Sequence, residues 1–304
     1  MAERVSVIVN PAAGRGRGAR MIPQIRERFA EVGVNDILLT RQAGDEGPLA
    51  EQAIAQGCTT LVVVGGDGTT THVGNAILKS GASTRLAVLP AGTGNDFAKT
   101  LGTDKSDVAT IARLSVEPGN ARIDVGKIED RFFLNCCGFG FDVAVLEGIE
   151  RTPWLRGNAV YLYTALRQLF DYDGIDLRIG GSAGGWKRHM LLVIANTEYF
   201  GGMFRIAPGA SATDGMLDAV SILDVPHLLR IPLLAAATRG AHAERPECTI
   251  TRAVSFEISF PVPPSYETDG ELHRAKTQNL AVTSCPQALR VVTAGREIGT
   301  RPSH

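Results

Sequence analysis

Short runs of β-branched and aliphatic residues alternate with segments of helical periodicity over the first third of the chain. Such runs are typical of buried strands, and apolar positions that recur every three or four residues are typical of helices covering them. Glycines stand at the junctions, which favours a parallel sheet covered by helices. Strands are predicted at residues 5–9, 37–40, 61–64 and 86–89, and helices at 22–32, 48–56 and 70–79.

The pattern changes after about residue 122. Two β-rich runs, 123–128 and 131–136, flank Glu129-Asp130 and predict a hairpin, and a helical stretch at 141–170 is interrupted near Pro153. The rest is mostly antiparallel β, so the sequence predicts two domains, residues 1–122 with 286–304 and residues 123–285. Further strands are predicted at 175–179, 187–195, 216–223, 248–258 and 280–283, a helix at 228–238, and a last strand at 288–293 that returns to the first domain.

Composition narrows the functional classes without identifying one. The 304 residues carry 31 Lys+Arg against 32 Asp+Glu, and a formal charge of −1 disfavours a dedicated nucleic-acid binder. No apolar run approaches the roughly 18 residues of a membrane-spanning helix. The first residues show no signal-peptide pattern, and the five cysteines have no CxxC spacing. We therefore expect a cytoplasmic protein without disulfides.

The strongest local feature is a glycine-rich turn between the third strand and its helix. Residues 61–71 read LVVVGGDGTTT, so a hydrophobic strand delivers three glycines and Asp67 to a helix start. Glycines let backbone N–H groups approach an anion closely, and the helix dipole adds positive potential there. A phosphate ligand explains the pattern, although a tight turn capped by Asp67 would explain it too. The run matches neither GxxxxGK[ST] nor GxGxxG.

Two other loops favour the phosphate interpretation. Residues 89–97 read LPAGTGNDF after the fourth strand, and residues 10–16 read NPAAGRG after the first. In a parallel sheet such loops all emerge at the carboxyl ends of the strands, where ligands usually bind. The sequence therefore predicts one nucleotide or phosphate site at that edge.

Four segments together resemble the diacylglycerol kinase catalytic-domain family, especially its soluble bacterial lipid kinases. They are VNPAAG at 9–14, VVVGGDGT at 62–69, PAGTGNDFA at 90–98 and ETDGE at 267–271, in the order of the family. GGDGT alone is only moderately specific, because NAD kinases and 6-phosphofructokinases share a GGDG loop. The resemblance implies α/β plus all-β architecture: an N-terminal three-layer α/β nucleotide-binding domain, as in NAD and diacylglycerol kinases, and a C-terminal antiparallel β-sandwich that takes the lipid.

The resemblance also implies roles for individual residues. Glu271 is the expected general base, and Asp67, Asp96 and Asp124 match acidic positions near the phosphates and a catalytic Mg²⁺. A structural Mg²⁺ is expected at the segment of Ser211, Asp214 and Met216. The residues expected at ATP are Asn10, Pro11, Ala12, Ala13, Gly14, Thr40, Gly65, Gly66, Asp67, Gly68, Thr69, Thr70, Thr71, His72, Gly92, Thr93 and Asn95.

Plainer explanations compete with several of these roles. Asp269-Gly270 before Glu271 is a strong hairpin signal, and Asp214-Gly215 is open to the same explanation. His72 stands where the family has glutamate, and a helix-surface role suits it better than catalysis. Arg15 replaces a common lysine, which keeps the charge but changes its geometry.

The resemblance implies Mg²⁺-dependent transfer of the ATP γ-phosphate to a lipid hydroxyl, most simply that of diacylglycerol. The alternatives are an NAD kinase and a nucleotide-binding regulatory protein without transfer activity. Transient contact with a membrane surface is expected, and the oligomeric state, including a homodimer, stays open. An aromatic, partly basic stretch could supply that contact or simply pack within the second domain: Trp154, Leu155, Arg156, Tyr161, Tyr163, Leu166 and Phe170.

Overall fold

The computed structural model describes residues 4–119, 121–152, 158–180, 185–294 and 298. Trp154, Leu155 and Arg156, and the side chain of Tyr161, lie outside the described residues. The chain divides into two compact units. Unit 1 comprises Met1–Val125, Ser211–Gly215 and Cys285–His304, and unit 2 comprises Gly126–Ala210 and Met216–Ser284.

Unit 1 contains a parallel sheet covered by helices, as the alternation of strands and helices predicts. Strand β1 pairs with β2 and β3, β3 pairs with β4, and the end of β15 pairs with β4, all parallel. The elements are β1 (Val5–Val9), α1 (Ala13–Glu31), β2 (Ile37–Leu39), α2 (Glu46–Ala55), β3 (Thr60–Gly65), α3 (Asp67–Ser80), β4 (Arg85–Pro90), α4 (Asp96–Leu101), α5 (Val108–Val116), β5 (Ala121–Ile128, to Val125 in this unit) and the end of β15 (Asn279–Val291).

The core of unit 1 forms where helices α1 and α5 cover the sheet. Ile25 and Phe29 of α1 and Ile111 of α5 are fully buried against valines and leucines of β1, β3 and β4. Arg85 of β4 is buried as well, and its guanidinium donates to the carbonyls of Ser115 at 3.0 Å and Glu117 at 2.7 Å. A cation there satisfies carbonyls that the end of α5 leaves without helical partners.

Unit 2 is an antiparallel β-sandwich, and its described residues include three α-helices. β9 pairs antiparallel with β7, β8 and β10, β10 pairs with β11, and β12 pairs with β8 and β15. The elements are the end of β5, β6 (Arg131–Phe133), β7 (Cys136–Gly140), α6 (Phe141–Glu150), α7 (Asn158–Asp171), β8 (Ile175–Ile179), β9 (Lys187–Ala195), β10 (Leu217–Leu223), α8 (His227–Ala237), β11 (Cys248–Ala253), β12 (Ser255–Ser259), β13 (Ser265–Thr268), β14 (Glu271–Arg274) and the first part of β15, to Ser284.

Strand β9 separates the two cores of unit 2, because successive side chains of a strand point to opposite faces. Leu191 and Val193 join the core formed with α6, α7 and α8, whereas Leu192 and Ile194 join the core between the sheets with Phe139. Burial on both faces explains why β9 reads as a continuous apolar run rather than an alternating one. The predicted fold class, an α/β domain with an antiparallel β-sandwich, is confirmed.

Several element bounds differ from the prediction. The run at 248–258 is two strands, β11 and β12, which separate at the exposed Val254. The run at 280–283 and the residues 288–291 belong to the single strand β15, which ends at Val291. Helices α4 and α5 were not predicted. Among the described residues, no helix is long and apolar enough to cross a bilayer.

Candidate active site

The loops that follow β1, β3 and β4 lie side by side in unit 1. Asn10 N donates to Val64 O at 2.9 Å, and Ala91 N and Gly92 N both donate to Gly65 O, at 2.8 and 3.1 Å. These hydrogen bonds continue the parallel ladder beyond the strands and fix the three loops against one another. The predicted meeting of the glycine-rich loops is therefore present in the structure.

Two glycines permit the loops to approach this closely. A Cβ on Gly14 would overlap the carbonyl oxygen of Ala91, and a Cβ on Gly92 would stand 2.5 Å from Gly66 Cα. Gly14 also has a φ of +57° and begins a left-handed stretch that includes Arg15. Only glycine meets both demands without strain.

The loops enclose an open cavity of about 310 Å³. Backbone of the first loop, of the GGDG turn and of the turn after β4 contributes to its wall, together with the start of α3. Its described lining residues are Asn10, Ala13, Gly14, Ala43, Gly44, Glu46, Gly66, Gly68, Thr69, His72 and Gly92. A cavity with so many glycines and a helix N-terminus suits an anionic ligand such as a nucleotide phosphate.

Asn10 connects the elements around this cavity. Its side-chain amide donates to Thr69 Oγ1 at 3.0 Å and to Glu46 Oε1 at 3.2 Å, and its Oδ1 accepts from Ala12 N at 3.0 Å. The residue therefore holds the first loop against α3 and α2, which explains the Asn in the first-loop motif.

Glu46 is a site residue that the sequence analysis missed. It is buried in the first turn of α2, its Oε2 accepts from Gly44 N at 2.8 Å, and His72 Nδ1 lies 3.8 Å from that oxygen. The loop after β2 thus joins the same edge as the glycine-rich loops. One indication of this role was available in the sequence, namely that Glu46 follows a predicted parallel strand. The segment lacks a glycine-rich motif like those of the other loops, since its glycines are Gly44 and Gly47 alone.

Asp67 opens α3 and contacts α4. Its Oδ1 accepts from Phe97 N at 3.3 Å. Burial raises the pKa of Asp67 above its ordinary value, and the neighbouring charge of Asp96 raises this pKa further. Asp96 is buried and forms an ion pair with Lys99 Nζ at 2.7 Å. A cation beside Asp67 would favour its ionised form, so this corner of the site suits a metal–phosphate ligand.

Other residues expected at ATP support the loops from outside the cavity. Asn95 has a φ of +52° and exchanges two hydrogen bonds with Gly92, each at 3.0 Å. Thr70 and Thr71 are buried in α3, where the Thr70 hydroxyl donates to Gly66 O at 3.0 Å, and Thr93 is exposed. Pro11, Ala12, Thr40 and Gly65 are not among the lining residues of the described cavity.

Asp124 is a buried brace for the segment that was expected to hold a structural metal. Its Oδ2 accepts from Gly215 N at 2.6 Å, its Oδ1 accepts from Gln287 N at 2.8 Å, and its own N–H donates to Ala212 O at 2.7 Å. Ser211 is buried, whereas Asp214 and Met216 are exposed. Both oxygens of the Asp124 carboxylate therefore accept hydrogen bonds from backbone amides.

Glu271 begins β14 after a tight turn in unit 2. Thr268 pairs with Glu271 across the hairpin, and Asp269 and Gly270 take φ values of +50° and +89°. The hairpin explanation of Asp-Gly is therefore correct, and it leaves Glu271, partly exposed, at the end of the turn. The turn is also braced, since the Asp269 carboxylate accepts from the amides of Leu134, Asn135 and Cys136 at 2.8, 2.8 and 3.1 Å.

No three His, Cys, Asp or Glu side chains of the described residues converge to hold a metal ion. The candidate acids Asp67 and Asp96 instead stand next to backbone amides and Lys99. Mg²⁺ commonly binds through one or two carboxylates and substrate phosphates rather than an all-protein cage, so this donor set fits an ion that arrives with a nucleotide.

Comparison with known proteins places this arrangement among lipid kinases. The model of the diacylglycerol kinase catalytic domain matches residues 4–128, and that of the YegS C-terminal NAD kinase beta sandwich-like domain matches residues 135–293. A Pseudomonas fluorescens protein named probable lipid kinase YegS-like is 36% identical over 264 residues, 84% of each chain. A Mycobacterium tuberculosis diacylglycerol kinase is 28% identical and covers 95% of this chain and 94% of its own.

Solved structures agree on the fold. A chain from Bacillus anthracis strain Sterne superposes with a TM-score of 0.80 at 25% identity, and covers 96% of both chains. A crystal structure of a diacylglycerol kinase from the same strain gives a TM-score of 0.74 at 22% identity, with 96% of this chain and 97% of that chain covered.

Proposed function

Because this chain belongs to the diacylglycerol kinase family and is a lipid kinase, we propose that it transfers the γ-phosphate of ATP to the hydroxyl of diacylglycerol, with Mg²⁺, to give phosphatidate. The observation that carries this proposal is the cavity at the carboxyl edge of the parallel sheet, where the loops after β1, β2, β3 and β4 meet. In this proposal, unit 1 binds ATP and unit 2 binds the lipid.

Unit 1 binds the nucleotide phosphates with backbone rather than with basic side chains. Gly66 and Gly68 stand at the N-terminus of α3, a helix of 14 residues, where free N–H groups and the helix dipole attract anions. Phosphoryl transfer depends mostly on positioning and charge neutralisation, so these backbone N–H groups can bind and orient the phosphates without basic side chains.

Asp67 and Asp96 would hold a Mg²⁺ that arrives with ATP, and the segment of Ser211, Asp214 and Met216 would hold a structural one through carbonyl and carboxylate oxygens. When bound, the catalytic ion supplies neutralisation of the phosphate charge that develops during transfer. Glu271 accepts the proton of the lipid hydroxyl, because an unionised alcohol is a poor nucleophile.

The lipid would reach unit 2 from a membrane surface. Tyr163, Leu166 and Phe170 recur at helical spacing on α7 and are 41%, 49% and 54% exposed. Leu228 of α8, a helix that packs against α7, is 82% exposed. Exposed apolar residues on two adjoining helices support transient contact with acyl chains.

A lipid-panel assay tests the proposal. The purified protein is incubated with γ-labelled ATP and Mg²⁺ and with one candidate substrate at a time, in the same detergent. The candidates are diacylglycerol, a sphingoid base, ceramide, undecaprenol and NAD. We expect labelled phosphatidate and no labelled NADP. Labelled NADP would favour NAD kinase activity, because NAD kinases have the same GGDG loop and a similar β-sandwich domain. ATP binding without any labelled product would favour a regulatory protein.

Asp67→Ala is expected to weaken both turnover and ATP binding. The substitution removes the acceptor for Phe97 N and a carboxylate proposed to hold the Mg²⁺ that arrives with ATP, so kcat/KM should fall by about 10²-fold and ATP affinity by about tenfold. Calorimetric titration with ATP and the lipid assay measure the two effects. Asp104→Ala, in the same unit but outside the cavity, is the matched control, and equal behaviour of the two variants would contradict the role of Asp67.

A further inference from the structure

Two buried carboxyl groups, Asp142 and Glu267, stand together in unit 2 and have no assigned role. Asp142 lies in the first turn of α6 with 8% of its surface exposed, and Glu267 of β13 is fully buried. Neither Asp142 oxygen has a side-chain partner or a hydrogen bond of ordinary geometry among the described residues, and the nearby backbone N–H groups of Asp142 and Val143 lower its pKa less than burial raises it. A buried carboxylate without a partner costs several kcal/mol, so the arrangement requires an explanation.

Gly138 supplies the room that brings the two groups together. Glu267 pairs with Gly138 across β13 and β7, so the Glu267 side chain leaves its strand on the face where Gly138 has none. A Cβ on Gly138 would overlap Asp142 Oδ2 and would stand 2.7 Å from Glu267 Oε1. The carboxyl groups of Asp142 and Glu267 therefore occupy the place of one missing side chain.

The surroundings oppose two negative charges at this point. No described residue forms an ion pair with Asp142 or Glu267 within the structure. Burial raises the pKa of Asp142 to about 7, and burial together with the charge of Asp142 holds the pKa of Glu267 well above its ordinary value. The titratable groups that interact electrostatically with the pair are Cys136, Cys137, Tyr172 and Asp269. The helices and strands packed around it also carry Glu147, Glu150, Tyr163, Arg167, Asp171, Lys187, Arg188, His189, Glu271, His273 and Arg274.

We propose that Asp142 and Glu267 share one proton, and that this carboxyl pair positions the turn that carries Glu271. The positioning role rests on the proposed function of Glu271, whereas the shared proton does not. A proton held between the two groups gives Asp142 Oδ2 and Glu267 Oε1 a common partner. Like charges held this close cannot both ionise without a large cost.

Glu267 connects the pair to the turn. Its Oε2 accepts from Gly270 N at 2.6 Å, one residue before Glu271, while its Oε1 accepts from the Cys136 thiol at 3.7 Å and lies with Asp142 Oδ2 beside Gly138. Loss of the shared proton would leave two repelling carboxylates beneath the turn. Movement of Glu267 away from Asp142 then displaces Gly270 and with it Glu271. Asp142 and Glu267 are thus positioning residues, because neither is proposed to touch the substrate.

Infrared spectroscopy tests the shared proton without any activity. The pH-difference spectrum of the wild type should show a protonated carboxyl C=O band that titrates near pH 7. D142N should lose this band, whereas E267Q should keep the titration near pH 7, which burial of Asp142 sets, and should lose the second carboxyl titration at higher pH. Asp171→Asn changes an exposed carboxylate of α7 and should leave the spectrum as in the wild type. An unchanged titration in both pair variants would overturn the shared proton.

The pH dependence of stability gives a second readout with a defined sign. The folded pKa of Asp142 lies above the value of about 3.9 for an unfolded Asp, so its contribution to stability is fully present below about pH 4. That contribution is lost as pH rises toward about 7. The thermal midpoint of D142N should therefore fall less between pH 5 and pH 8 than that of wild type, and an equal fall in both would count against the pair.

The pH profile of turnover tests the positioning role. The pair holds a single shared proton only once Asp142 has ionised. A group with a pKa near 7 changes occupancy about tenfold between pH 6 and pH 8, so the ratio of kcat at pH 8 to kcat at pH 6 should be about fivefold lower in D142N than in wild type. Titration of Glu271 itself is common to both proteins and cancels in this comparison. Equal ratios would overturn the positioning role. Absence of lipid phosphorylation in wild type would instead overturn the proposed function and leave the infrared result intact.

Discussion

Replacement of Glu271 with glutamine is expected to lower kcat for lipid phosphorylation by about 10²- to 10⁴-fold, the usual contribution of a well-placed general base. Glutamine keeps the shape of the side chain and its place after the braced turn, but it cannot accept a proton from the lipid hydroxyl. ATP should bind with unchanged affinity, because Glu271 belongs to unit 2 and the nucleotide cavity to unit 1.

Two measurements separate this chemical effect from misfolding. Single-turnover assays with diacylglycerol give the rate of transfer, and calorimetric titration gives the affinity for ATP. Glu257→Gln, which alters an exposed carboxylate of β12 in the same unit, is the matched control and should retain normal turnover. Full activity of the Glu271 variant would remove this residue from the mechanism.

The sequence predicted the sheet of unit 1 well because β1, β3 and β4 are buried on both faces and each leads into a glycine-rich loop. Apolar runs of this kind are typical of a parallel sheet, and each turn motif marks a carboxyl end. β15 was harder to predict, since Ser284, Pro286 and Gln287 resemble a turn in the middle of one strand. Its continuity depends on β12 and β4, partners far away in the chain.

The candidate site was predictable where a glycine has to admit another backbone, as at Gly14 and Gly92. It was not predictable where a side chain acts through its neighbours. Glu46 resembles an ordinary acidic residue in the first turn of a helix, and its role follows from contacts with Asn10 and His72. Asp142 likewise gains its significance from Gly138 and Glu267, which pairing of distant strands brings to it.

Gly14→Ala is expected to lower both the stability of the protein and its affinity for ATP, because Gly14 lies against the backbone of Ala91. A Cβ at this position would overlap Ala91 O, and the φ of +57° is already unfavourable for alanine. The first loop must therefore move away from the loop after β4. We expect the variant to lose about 2–4 kcal/mol of stability, from left-handed strain and overpacking together, and to bind ATP at least about tenfold more weakly.

Gly16→Ala supplies the matched control two residues away. Gly16 also has a left-handed φ, +82°, but the nearest atom to a Cβ there is the flexible end of Arg20, at 3.6 Å. Backbone strain alone should lower the free energy of unfolding of this variant by about 1–2 kcal/mol, and its affinity for ATP should equal that of the wild type. Thermal unfolding and calorimetric titration of both variants isolate the contribution of the loop contact. Equal losses of stability and affinity would mean that the approach of Gly14 to Ala91 does not shape the nucleotide cavity.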